Sequence, residues 1–120
     1  MVEFYSEWCG HCRNFAPTFK EVAQLAKPWS RYISVGAVNC VDEKTVCLDH
    51  KVTRYPTIRY FTHPSPQNSS TTLELEHAGG RSAQHLHGEI AAVLFSRWHE
   101  VPVGERLHPG FAEVFEEDAR

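Results

Sequence analysis

Cys9 and Cys12, spaced C-x-x-C in Trp8-Cys9-Gly10-His11-Cys12, are the residues of this chain best suited to chemistry. They lie between an apolar run, Val2 to Tyr5, and a helix-patterned stretch, Arg13 to Lys27. A helix start offers unpaired backbone N–H groups and the positive end of the macrodipole. Both favour thiolate over thiol on Cys9, and the thiolate is the nucleophile of disulfide exchange. Cys12 lies one turn on, within reach to close a disulfide or release a trapped partner. The competing readings of such a pair are a structural disulfide and half of a zinc site. A zinc site needs a second ligand pair, and Cys40 and Cys47, the other two cysteines, have the wrong spacing for a zinc knuckle.

The elements that would position this pair follow from periodicity. Val2 to Tyr5 reads as a buried strand interrupted by Glu3. Phe15, Phe19, Val22, Ala23 and Ala26 fall on one face of a helix over Arg13–Lys27, with a kink expected at Pro17 and an end at Pro28. Tyr32 to Asn39 is β-rich and predicts a second strand. Asp42 to His50 predicts a short helix opened by an acidic residue. Thr57–Phe61 and Leu73–His77 read as further strands, the latter at an edge. Between them His63–Thr72 is a proline-bearing loop. Ser82–Trp98 predicts a helix with Leu86, Ile90, Val93 and Leu94 on one face. Trp29 and Trp98 read as packing residues. His85 and His87, two apart, leave a helix in different directions and are not expected to chelate together. The order is βαβ, a short helix, then ββα over residues 1–98. Residues 99–120 read as a linker or acidic tail.

The chain has 120 residues, enough for one domain with a real core. Its net charge of −3 gives no electrostatic case for nucleic acid. No apolar run reaches membrane length. Met1 leads straight into a strand pattern with no signal peptide in these residues, which fits either a piece of a longer secreted precursor or a cytosolic protein. An even cysteine count and the sequon at Asn68 favour the secretory lumen, the endoplasmic reticulum or Golgi, or the exterior.

Motif and element order together resemble the thioredoxin fold. This is an α/β architecture with a central four-stranded mixed sheet flanked by helices, here lacking the usual N-terminal strand and helix. Val2-Glu3-Phe4-Tyr5, Cys9-Gly10-His11-Cys12 and Phe15-Ala16-Pro17 resemble protein disulfide isomerases. Phe15-Ala16-Pro17-Thr18-Phe19-Lys20, the pair Cys40 and Cys47, and Tyr55-Pro56-Thr57-Ile58-Arg59-Tyr60-Phe61 are similar to the quiescin-type sulfhydryl oxidases. The resemblance makes Cys9 the attacking and Cys12 the resolving cysteine. It makes His11 the residue that favours the reduced, thiolate-bearing pair, and so an oxidant or isomerase. The spread from thioredoxin-like to isomerase-like potentials is about 90 mV, or about 4 kcal/mol for two electrons.

The same resemblance implies that Pro56 is a cis-proline facing the active-site disulfide. Glu3 is then the buried glutamate that relays protons for Cys12. Ala37 stands where the isomerases carry a lysine near that glutamate. Arg81 resembles their mobile arginine, which approaches the resolving cysteine. Cys40 and Cys47 would form a structural disulfide. Asn68 is a glycosylation candidate, and no metal ligand set is expected.

The function implied is a thiol–disulfide oxidoreductase module that oxidises or isomerises protein thiols. The resemblance places it as the thioredoxin domain of a flavin-linked sulfhydryl oxidase. A plain isomerase-family member and a non-catalytic client-binding domain are the alternatives, the latter disfavoured by an intact C-x-x-C. The family's FAD belongs to a separate helical domain. This chain is therefore expected to hold no cofactor, to act on protein thiols and disulfides, to partner a flavin domain, and not to pass electrons to oxygen by itself.

Overall fold

The computed structural model describes residues 1–61 and 74–96. Asn68, Trp98 and the tail over 99–120 lie outside the described residues. The elements are β1 (Val2–Tyr5), α1 (Gly10–Leu25), a 3-10 turn (Lys27–Trp29), β2 (Gly36–Asn39), α2 (Lys44–Asp49), β3 (Thr57–Phe61), β4 (Glu74–Glu76) and α3 (Ala83–Ser96). The sheet order is β2-β1-β3-β4. β1 runs parallel to β2 and antiparallel to β3, and β3 runs antiparallel to β4. This is the mixed four-stranded thioredoxin sheet.

β1 is central in the sheet, with β2 on one side and β3 on the other. Successive residues of a strand point to opposite faces. Phe4 packs with Cys40, Cys47 and Val52 on one face. The other face meets α1 and α3, where Phe15, Phe19, Val22, Trp29, Ile58, Leu86 and Ile90 form the larger cluster. Val22, Leu86 and Ile90 are fully buried. Cutting Leu86 or Ile90 to alanine would cost about 2–5 kcal/mol, a transfer loss plus a cavity.

Three expected elements change at their edges. The strand expected over Tyr32–Asn39 shrinks to Gly36–Asn39. The N–H groups of Tyr32 and Ile33 both donate to the Trp29 carbonyl, so the chain is still turning there. Tyr32, Ile33 and Val35 are apolar because they pack on the larger core, not because they pair in the sheet. α1 starts at Gly10, three residues earlier than expected, and takes Cys12 into its first turn. α2 starts at Lys44, with no acidic residue in its first turn. Asp42 instead accepts a hydrogen bond from Asn39 Nδ2 at 3.2 Å, closing the turn after β2.

α1 runs through Pro17 as a single helix. Pro17 and Arg13 both lie on its exposed side, where water can serve the carbonyl that loses its donor. Ser82 caps α3, accepting from the His85 N–H at 3.1 Å. Arg59 fastens the sheet edge. It donates to the His50 carbonyl, pairs with Glu74 at 2.7 Å and Glu76 at 3.6 Å, and lies over the Phe4 ring.

Candidate functional site: a dithiol at the start of α1

Cys9 is the N-cap of α1. Its backbone is extended, and its sulfur accepts the Cys12 N–H at 3.2 Å. A cysteine thus occupies a position usually held by serine, threonine or aspartate. The consequence is chemical. Cys9 is held below the usual thiol range, first by the hydrogen bond from the Cys12 side chain. The backbone N–H groups of Cys12 and His11 and the Arg13 charge add to this.

Cys12, one turn into the helix, is 4% exposed. Burial first, and then its hydrogen bond to Cys9, pushes its thiol up to about 11. Both cysteines are free thiols. One sulfur is therefore accessible and acidic, and the other is sheltered and keeps its proton.

Pro56 is buried beside them, and the Tyr55–Pro56 bond is cis. Cys9 Sγ reaches the Tyr55 carbonyl at 3.5 Å. His11, Tyr55, Pro56, His77 and Arg81 line a groove of about 510 Å³ next to the dithiol. Arg81 does not lie against Cys12 through any described bond. It donates to the Pro56 carbonyl at 3.4 Å and acts electrostatically on Glu3.

Glu3 sits on β1 and is 5% exposed. Burial pushes its carboxyl up to about 7, with the Arg81 charge pulling the other way. Glu3 and Cys12 line one cavity of about 520 Å³. Ala37 pairs with Glu3 across β1 and β2 and lines that cavity too. A small side chain there leaves room for water beside the carboxylate.

Cys40 and Cys47 are joined by a disulfide, with Cα atoms 5.7 Å apart. It lies in the smaller core, behind a second groove that also holds Trp8, Leu48 and Tyr55. Trp8 is 81% and Leu48 76% exposed, which puts apolar surface on the rim next to Cys9. Reading the sequence missed these rim residues. It also missed the meeting of His77, which lines the first groove, with His85 and Glu89.

No helix among the described residues is long and apolar enough to cross a membrane.

Comparison with known proteins agrees with this geometry. The sequence model of the thioredoxin family matches residues 1–91. Sulfhydryl oxidase 1 of Cavia porcellus is 40% identical over 97 residues, covering 79% of this chain and 15% of that protein. Sulfhydryl oxidase 2 of Homo sapiens is 46% identical over 63 residues, covering 51% of this chain and 9% of that protein. The chain thus spans less than a sixth of these relatives. Among solved structures, a crystal structure of ERdj5 superposes with a TM-score of 0.68 at 25% identity, covering 79% of this chain and 12% of that one. A dithiol at a helix start, a proline beside it and this strand order therefore place the chain in the thioredoxin family.

Proposed function

We propose that this chain is a thiol–disulfide exchange module acting on protein thiols, of the sulfhydryl oxidase type. The observation that carries the reading is the unequal pair. Cys9 is reachable and capped by the Cys12 N–H, while Cys12 is buried and holds its proton.

The exchange follows from that inequality. With the pair oxidised, a client thiolate attacks Cys9 Sγ. The Cys9–Cys12 bond breaks, and its electron pair leaves on Cys12 Sγ. That sulfur takes a proton, because its thiol is favoured up to about pH 11. A second client thiolate then attacks the client sulfur held on Cys9. The client leaves with a disulfide, and Cys9 leaves as the stabilised thiolate. Two electrons have passed from client to pair.

Recharging runs the other way. Cys9 thiolate attacks an external disulfide, and Cys12 must then lose its proton to displace the partner. Glu3, sharing the cavity with Cys12, is placed to take that proton through water. Pro56 and the Tyr55 carbonyl leave backbone beside Cys9 for an extended client segment. His11 on the groove raises the oxidising power of the pair. The external oxidant in this reading is a flavin-bearing domain outside these residues. The setting proposed is the secretory lumen.

A plain isomerase role is the second reading, favoured by the likeness to ERdj5 domains. Equilibration with glutathione and oxidation of a dithiol peptide test the first proposal. The parent chain oxidises the peptide, and Cys9→Ser abolishes it. Retained activity in Cys9→Ser would overturn it. Oxygen uptake on adding a separate sulfhydryl oxidase flavin domain decides the branch: sustained uptake supports the oxidase type, and none supports the isomerase.

A further inference from the structure

His77 follows β4, and His85 and Glu89 stand one turn apart on α3. The thiol chemistry uses none of them. The His77 side chain is 3% exposed. Its Nδ1 lies 2.7 Å from both oxygens of Glu89, and its Nε2 lies 3.0 Å from the Gly80 carbonyl oxygen. A carbonyl oxygen only accepts, so Nε2 carries the hydrogen. Nδ1 is then the ring nitrogen turned to the carboxylate.

The surroundings favour an ion site. His85 Nε2 is 4.0 Å from the same Glu89 oxygen, and the two imidazole rings are 5.7 Å apart. The three ligand atoms lie within 4.8 Å of one another. Gly79 makes room for both rings. A Cβ there would come within 2.7 Å of His85 Nε2 and 3.3 Å of His77 Cε1. Tyr60 supplies a separate observation. It is 4% exposed, and its hydroxyl lies beside Glu89. A phenol in that place is a ready donor to a ligating carboxylate.

We propose that His77 Nδ1, His85 Nε2 and one oxygen of Glu89 bind a divalent cation of the zinc class, tying the end of β4 to α3. Two imidazoles and a carboxylate suit zinc, with water as the fourth ligand. Zinc–ligand bonds of about 2.0–2.1 Å set ligand atoms about 3.4 Å apart in a tetrahedron. The two separations to Glu89 are 2.7 and 4.0 Å, and all three ligand atoms lie within 4.8 Å, so the rings must turn toward one another to close on an ion. The Gly80 carbonyl keeps the Nε2 hydrogen and fixes the ring, as a backbone carbonyl does behind many zinc-bound histidines.

The Cys9–Cys12 dithiol would itself take zinc, so the test uses the full chain with that pair oxidised. Calorimetric titration with Zn²⁺, and visible absorption with Co²⁺ as a coordination probe, are the readouts. One ion per chain is expected. Affinity should fall at least about tenfold in His85→Ala and in Gly79→Ala, and remain unchanged in His87→Ala. His85 is half exposed, so its variant keeps the fold, and circular dichroism checks this. No stoichiometric Zn²⁺ binding by the oxidised chain would overturn the proposal. So would equal affinity in His85→Ala, or a loss in His87→Ala as large as in His85→Ala.

Discussion

Glu3 and Cys12 face one cavity, although they stand on different elements, the central strand and the first helix. The carboxyl is pushed up to about 7 and the thiol to about 11, both mainly by burial. At neutral pH Glu3 is thus close to half-protonated, which suits a group that must both take and return a proton. Glu3→Gln should slow the step in which Cys12 displaces a partner from Cys9, by about 10²-fold or more. Attack by Cys9 itself should be nearly unchanged. Stopped-flow reduction of a mixed disulfide on Cys9 separates the two steps. Equal slowing of both would remove Glu3 from the relay.

Glu3 also makes stability depend on pH. Its folded-state pKa is raised, so the native state binds the proton more tightly than the unfolded chain does. The fold carries no penalty from Glu3 at pH below about 4.5, and loses stability as pH rises from there through about 7. Glu3→Gln removes the ionisable group. The variant is expected to gain about 1–3 kcal/mol over the parent at pH 8, relative to pH 4.5. Urea unfolding at both pH values measures this. A gain independent of pH would mean that Glu3 is not the titrating group.

The two thiols should alkylate at very different rates. Cys9 is lowered by the hydrogen bond from Cys12 and the helix-start N–H groups, whereas Cys12 is raised. In Cys12→Ala, iodoacetamide should react rapidly at pH 7. In Cys9→Ala, reaction should remain slow until strongly alkaline pH. The Cys9 rate in Cys12→Ala should titrate somewhat higher than in the parent, because the hydrogen bond from the Cys12 side chain is gone. Faster reaction of Cys12 at neutral pH would reverse the assignment of attacking and resolving roles.

Part of this site was legible from residue types alone. C-x-x-C between an apolar strand and a helix pattern marked the dithiol, and 3.6-residue periodicity marked α1 and α3. The capping role of Cys9 was less visible, because the helix start slid back to Gly10 and took Cys12 inside. Tyr32–Val35 misled, since residues that pack on a core from a turn have the same apolar look as a strand. The His77–His85–Glu89 cluster was hidden for another reason. The histidines at 85 and 87 drew notice as neighbours, while the productive pairing was His85 with Glu89 at i, i+4. Its third member, His77, arrives from the turn after β4, and only the fold brings it there.

The Cys40–Cys47 bond should support stability rather than turnover. It closes a short loop between the end of β2 and α2, with seven residues of separation, and is buried in the smaller core with Phe4 and Val52. Loop closure of that length is worth about 2–3 kcal/mol. The double variant Cys40→Ala, Cys47→Ala should lose about that much, plus a small packing loss on the Phe4 face. Its rate of disulfide exchange at 25 °C should stay within about twofold of the parent, because neither sulfur contacts Cys9 or Cys12 through any described bond. Denaturant unfolding and a dithiol-peptide assay on the same preparation read both quantities. Unchanged stability would remove the disulfide's structural role. A collapse of exchange rate in a folded variant would instead mean that the second pair passes electrons to the first, and the groove holding Trp8 and Leu48 above it would then be the path.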